Sequence, residues 1–248
     1  MKKIAIFVEG QTEKIFVREF LLRLFQWNSN AISLECFNLF RNDDLENSEY
    51  PFPDVINENS DFYFQILNIG NDKSVLSRMK NREKYYWSLG FDKIIGLRDM
   101  YSKDYRKIST IIDKAVNQEF ISNHQSIISE NFEQPEKVKF IFAIMEIETW
   151  FLALSEILPR IDIRMNRENI KSTLGYDLEL IDPQSYFFQP AKDLNDIFGL
   201  ANRKYDKHKG DIEHLMRIST KEDFENLWLK DKCNSYKEFY NTIDEICN

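Results

Sequence analysis

Three short apolar runs of this chain end in carboxylates: Val8 precedes Glu9, Leu97 is followed by Arg98 and Asp99, and Ile144 comes just before Glu146 and Glu148. Each run has the length and branched-residue content of a buried strand. The carboxyl ends of parallel strands share one sheet edge, where open α/β sheets bind ligands, so the acids are expected to converge there. Converging carboxylates repel one another and resist burial without a cation. Hard oxygen ligands suit Mg²⁺ or Mn²⁺, completed by waters and substrate phosphates. Such an ion polarises a phosphoryl oxygen and acidifies a bound water, so the chemistry is phosphodiester hydrolysis or transfer. Glu9, Asp99, Glu146 and Glu148 are the candidate metal ligands.

Gly10 lets the backbone approach a phosphate closely, and the amides of the following helix favour an anion. Thr12 is the expected N-cap of that helix, which makes Gly10 and Thr12 the candidate phosphate contacts. Each acid also has an ordinary structural reading. Glu13 suits the positive end of the helix dipole, Glu146 and Glu148 could open a solvated helix face, and Asp99 could serve a turn. Repetition at three strand ends is what favours the metal. Gly10 to Lys14 lacks the Gly-Lys-Ser/Thr ending of a nucleotide-binding loop, which argues against an ATPase. His208, His214 and Cys233 match no common zinc spacing, and His124 has no evident partner.

The elements that would position these acids follow from periodicity. Strands are expected at Lys3–Val8, Ser33–Phe40, Phe62–Ile69, Lys93–Leu97 and Val138–Ile144. Helices are expected over Thr12–Trp27, from a cap at Asp72 to Leu89, and over Tyr105–Val116. Asn42 to Asp61 reads as a polar excursion. Strands alternating with helices point to a parallel, Rossmann-like sheet flanked by helices. Beyond Trp150 the strand signal fades, and capping boxes are expected at Ser219-x-x-Glu222 and Ser235-x-x-Glu238. The division expected is an α/β core over 1–150 and a helical extension packed on it over 151–248. Trp150, Phe151 and Leu152 read as core, as do the rings of Tyr85, Tyr86 and Trp87, although Arg82 and Lys84 lie among them as in surfaces for single-stranded nucleic acid.

The 248 residues are 43% hydrophobic, with 20 Phe, 11 Tyr and 4 Trp, enough to fill a sizeable core. A net charge of −8 disfavours a protein that coats duplex DNA. The basic stretches Lys80–Lys84, Lys103–Lys107 and Arg203–Lys209 read as solvated faces. Cys36, Cys233 and Cys247 are widely spaced and odd in number, as in a reduced cytoplasm. No apolar stretch reaches the ~18 residues of a membrane-spanning helix.

The segment Glu9-Gly10-Gln11-Thr12-Glu13 after an apolar strand resembles the first motif of TOPRIM domains, shared by topoisomerases, primases and OLD-type nucleases. With Glu148-Thr149-Trp150 as a Glu-x-Trp segment, the chain resembles in particular small, largely uncharacterised prokaryotic TOPRIM-like proteins. By motif order the likeness covers residues 3 to 155. It implies a compact parallel sheet with a divalent metal at the carboxyl strand ends. Glu9 then binds metal or acts as general acid or base. The second motif is normally Asp-x-Asp; here it is Asp99-Met100-Tyr101, with Tyr101 in the second acid's place. Glu146 or Glu148 is expected to supply the missing oxygen, Glu148 being favoured by its Glu-x-Trp position. Lys103, with Arg98 or Lys14, is expected to neutralise charge on a phosphoryl group, which makes Glu9, Asp99 and Lys103 the expected catalytic set.

The function implied is Mg²⁺- or Mn²⁺-dependent phosphodiester cleavage by a nuclease in a prokaryotic defence or mobile-element setting. Nucleic acid, DNA ahead of RNA, is the expected partner, and no membrane is. An ATPase or another defence subunit, and a second copy of the chain, are admitted as companions. Two alternatives stand: a TOPRIM-like binding or regulatory subunit without catalysis, and a phosphatase or nucleotidyl transferase acting on small phosphate esters.

Overall fold

The computed structural model describes residues 1–40, 42, 44–49, 51–70, 74–207 and 210–247. Among these, six strands form one sheet: β1 (Lys2–Val8), β2 (Ile32–Leu39), β3 (Leu45–Asn47), β4 (Phe62–Asn68), β5 (Lys93–Asp99) and β6 (Val138–Ala143), in the order β3-β2-β4-β1-β5-β6. Strand β1 runs parallel to both neighbours, with Ile4 opposite Phe64 of β4 and Lys93 of β5. A strand covered on both faces needs a continuous apolar run, and Ile4 to Val8 are wholly buried. Strand β2 is parallel to β4, with Leu34 opposite Phe64.

The sheet is mostly parallel but mixed, because β3 pairs antiparallel with β2, Phe37 facing Asn47. This strand lies inside the stretch expected to be a polar excursion. Its sequence, Leu-Glu-Asn, is short and largely exposed, so no alternation marks it.

The chain folds as two compact units. The first comprises Met1–Arg98 and Gln118–Phe142, the second Asp99–Asn117 and Ala143–Asn248. In the first, α1 (Gln11–Leu24) buries Phe16, Phe20 and Leu21, and α2 (Val75–Ser88) buries Met79 and Tyr86. The Tyr86 ring stands edge-on to Phe7 at 5.5 Å and to Phe91 at 4.7 Å, as expected of core packing, whereas Tyr85 is half exposed under Arg82. Gly96 on β5 admits no side chain, since a Cβ there would stand 2.5 Å from Met79 Sδ and 2.6 Å from Phe140 Cδ2. The cap of α1 is Gly10, not Thr12, which lies buried in the first turn with Glu13. A Cβ at Gly10 would stand 3.2 Å from the Glu13 carboxylate, the flexible end of a side chain that would have to give by a few tenths of an ångström. The expected cap Asp72 lies outside the described residues; α2 begins after Ser74.

The single helix expected over Tyr105–Val116 is two, α3 (Lys103–Ile108) and α4 (Lys114–Asn131). Local side-chain bonds break it. Ser109, in extended conformation, accepts the Ile111 N–H, and Asp113 Oδ1 accepts from Ala115 and Val116 at the start of α4. The rest of the second unit is helical: α5 (Glu148–Ala153), α6 (Leu158–Ile161), α7 (Arg167–Leu174), α8 (Pro183–Tyr186), α9 (Pro190–Leu200), α10 (Asp211–Ile218), α11 (Lys221–Leu229) and α12 (Asn234–Cys247).

The capping box of α11 is Thr220 with Asp223, one residue beyond the expected Ser219 and Glu222. Ser235 lies inside α12 rather than capping it; its hydroxyl accepts the Trp150 indole N–H at 2.9 Å and donates to Gln184. Trp150, fully buried, packs edge-on to Tyr236 as a core residue. The three cysteines are free thiols. Among the described residues, no helix is long and apolar enough to cross a membrane.

Candidate metal centre

Two strand ends and the turns after them build an acidic cluster within the second unit. β5 ends at Asp99, and the chain passes through Met100 and Tyr101 to α3, which Ser102 caps by accepting the Tyr105 N–H at 3.2 Å. β6 ends at Ala143, and Ile144 to Ile147 lead into α5, whose first residue is Glu148. The two turns are stitched together, Met100 N–H donating to the Ala143 carbonyl at 2.9 Å and Tyr101 N–H to that of Met145 at 2.7 Å. Met145 is wholly buried with φ of 64°, a left-handed conformation that costs a non-glycine residue about 1 kcal/mol or more. The hydrogen bond that its carbonyl accepts from Tyr101 holds this turn against the end of β5, directly before Glu146 and Glu148.

Each acid is fixed by a different neighbour. Asp99 Oδ1 accepts the Ile147 N–H at 2.8 Å, tying the first strand end to the start of α5. Glu146 Oε2 accepts the Ala191 N–H at 3.0 Å in the first turn of α9, whose positive end favours a carboxylate. Glu148 is completely buried. Its Oε1 accepts from the Tyr205 hydroxyl at 3.0 Å and from Lys207 Nζ at 3.5 Å, while its Oε2 is buried with no hydrogen-bond partner.

One oxygen from each of Asp99, Glu146 and Glu148 lies within 4.8 Å of the other two. The three carboxylates therefore face one small volume, near enough for a single cation to draw an oxygen from each. Burial, then the nearby Glu148 carboxylate, raise the Glu146 pKa above its usual value, against the Ala191 N–H and Lys207, which lower it. Burial likewise raises the Tyr205 phenol, with Glu148 adding to it, so Tyr205 remains a donor. Three carboxylates with half-exposed Lys207 beside them, and a buried oxygen lacking a donor, are a donor set that fits a divalent cation.

No family model, curated protein or solved structure matches this chain.

The other expected site residues sit as follows. Glu9, half-buried at the end of β1 in the first unit, donates its N–H to the Leu97 carbonyl at 3.2 Å and is not a member of the acidic cluster. Gly10 and Thr12 open α1, as described. Lys103 is exposed at the first position of α3. Lys14 is buried against Ser48 Oγ at 2.9 Å and Glu49 at 3.1 Å, and Arg98 lies over the Phe142 ring. Tyr101 is half-buried, edge-on to Phe188 at 5.3 Å.

Tyr205 and Lys207 lie in the stretch Arg203–Lys209, which reads from the sequence as a solvated face. Tyr205 is 7% exposed and turned into the acids, and the signal was an aromatic residue inside a basic run. His208 and Lys209 lie outside the described residues. His214, half-buried and hydrogen-bonded with Arg217, and the buried thiol of Cys233, which donates to the Thr149 carbonyl, have separate structural partners.

Proposed function

We propose that the chain is a TOPRIM-like, divalent-metal-dependent enzyme that cleaves phosphodiesters, a nuclease of a prokaryotic defence or mobile-element system. The observation that carries this reading is the junction of Asp99, Glu146 and Glu148, with a fully buried Glu148 oxygen left without a donor. The motif resemblance, with Glu9 closing β1 and Glu148 opening the Glu-x-Trp segment, supplies the family and the defence setting.

In this reading Asp99, Glu146 and Glu148 hold Mg²⁺ or Mn²⁺. A cation held there would polarise a phosphoryl oxygen and lower the pKa of a bound water. Asp99 and Glu146 accept backbone N–H bonds, so their carboxylates are oriented before any ligand arrives. Tyr205 and Lys207 do the same for Glu148. Lys103, exposed on α3, supplies positive charge toward a phosphate, and Glu9 is the general acid or base by the motif resemblance.

Calorimetric titration with Mn²⁺ and Mg²⁺ is expected to show binding that Asp99→Asn reduces at least tenfold, together with Mn²⁺-dependent cleavage of labelled DNA that Asp99→Asn and Glu9→Gln abolish. Absence of metal binding by the folded wild type would refute this reading. A second reading, a TOPRIM-like binding subunit, is favoured by Tyr101: a ring engaged by Phe188 and Arg106 stands where the motif would carry its second acid. It predicts metal binding or nucleic-acid binding without turnover.

A further inference from the structure

Beside the acidic cluster lies an aromatic and cationic patch. Tyr101 follows Asp99 by two residues, and its half-buried ring meets Phe188 edge-on at 5.3 Å. The exposed Arg106 guanidinium sits 5.1 Å over the same ring. Gln189 Nε2, also exposed, lies 3.5 Å from the Tyr101 hydroxyl.

Both sides of the patch are tethered to the acids. Tyr101 N–H is bonded to Met145, the residue before Glu146, and Phe188–Gln189 come just ahead of Ala191, whose N–H holds Glu146. Two residues of extended chain reach only about 7 Å, so the patch cannot be far from Asp99.

Aromatic rings and guanidinium planes are the surfaces on which unpaired bases stack, and they work for any base because each has a π-face. A duplex covers those faces. Lys103 and Arg106, both exposed, add the charge that a phosphate backbone needs at this point of a chain carrying a net −8. Gln189 supplies an amide of the kind that reads base edges. A peptide or small ester would use the metal and the lysines but has no need of a ring stacked under an arginine.

We propose that Tyr101, Phe188 and Arg106 form a stacking subsite for an unpaired base, so that the substrate class of the acidic centre is single-stranded nucleic acid. The proposal deepens the functional reading above and rests on it for the meaning of the neighbouring acids. It also accounts for Tyr101 where the motif would have an acid: the position serves substrate positioning.

The test is fluorescence anisotropy of the full chain with labelled oligothymidylate and oligouridylate, and with a duplex of equal length, all in EDTA. The wild type is expected to prefer single strands. Tyr101→Ala and Arg106→Ala should each weaken single-strand binding about tenfold, the scale of one lost base stack, while Tyr101→Phe binds as wild type. Arg106 is exposed, so its variant decides the matter if Tyr101→Ala fails to fold. Equal binding of duplex and single strand, unchanged affinity in Arg106→Ala, or no binding by the wild type would overturn the proposal. Because EDTA removes divalent ions, the two failures are distinguishable: absence of metal binding in the titration above sinks the functional reading while single-strand binding in EDTA is read independently, and loss of stacking sinks this proposal alone.

Discussion

At the scale of single residues, Glu148 concentrates the physics of the site. A carboxylate wholly out of solvent, bonded through one oxygen and bare at the other, is costly unless a cation completes it. The cost and the binding capacity are the same feature, and one substitution separates them. Glu148→Gln removes the charge while keeping the shape and the Tyr205 contact. In EDTA this variant is expected to melt at or above the wild-type temperature. In saturating Mn²⁺ the wild type should gain stability, by about 2.7 kcal/mol at a hundredfold excess over Kd, and the variant should gain almost none. Thermal melts in the two buffers check both halves. A variant that melts lower in EDTA, with its metal response intact, would mark Glu148 as a structural acid only.

At the scale of elements, legibility followed covering. Strands β1, β5 and β6 were readable because strands covered on both faces require nearly continuous apolar runs, and the acids that follow them were readable with them. β3 was not, because an exposed three-residue edge strand has no pattern to read. The break between α3 and α4 depends on where Ser109 and Asp113 send their side chains, a competition that periodicity does not register. The same holds for α11, whose box sits at Thr220 and Asp223 because Asp223 also takes a two-pronged ion pair from Arg160, at 2.6 and 2.7 Å.

That pairing makes a pH-dependent clamp between α6 and α11. Burial works to raise the Asp223 pKa, but the Arg160 fork and the Thr220 N–H outweigh it and hold the carboxyl below its usual value. A depressed carboxyl stabilises the fold above its unfolded pKa of about 3.9 and loses that contribution as pH falls through the folded value. Asp223→Asn is therefore expected to cost about 2 kcal/mol near neutrality, from a lost charged hydrogen bond and a weakened cap. The difference from wild type should shrink as the solution is acidified below pH ~4. Denaturant melts across that range measure it, and a difference independent of pH would remove the ion pair from the account.

At the scale of the whole molecule, a net charge of −8 and a local basic patch make opposite demands, and salt separates them. The acids legible in the sequence were those that end strands; Tyr205 and Lys207 were not, because only the fold of a distant helical segment turns them onto Glu148. Among the described residues, Lys103, Arg106 and Lys107 follow Tyr101 closely in the chain, the last paired with Asp104. A single strand neutralised by two to three cations should show log affinity falling against log salt with a slope of about −2. A protein gripping nucleic acid over a broad basic face would give a far steeper slope, near −6 for nine phosphates. Titrations of oligothymidylate at several salt concentrations give this number directly. Lys103→Ala should flatten the slope by about 0.7 while leaving the preference for single strands unchanged, because a phosphate contact positions the strand and the ring selects the unpaired base.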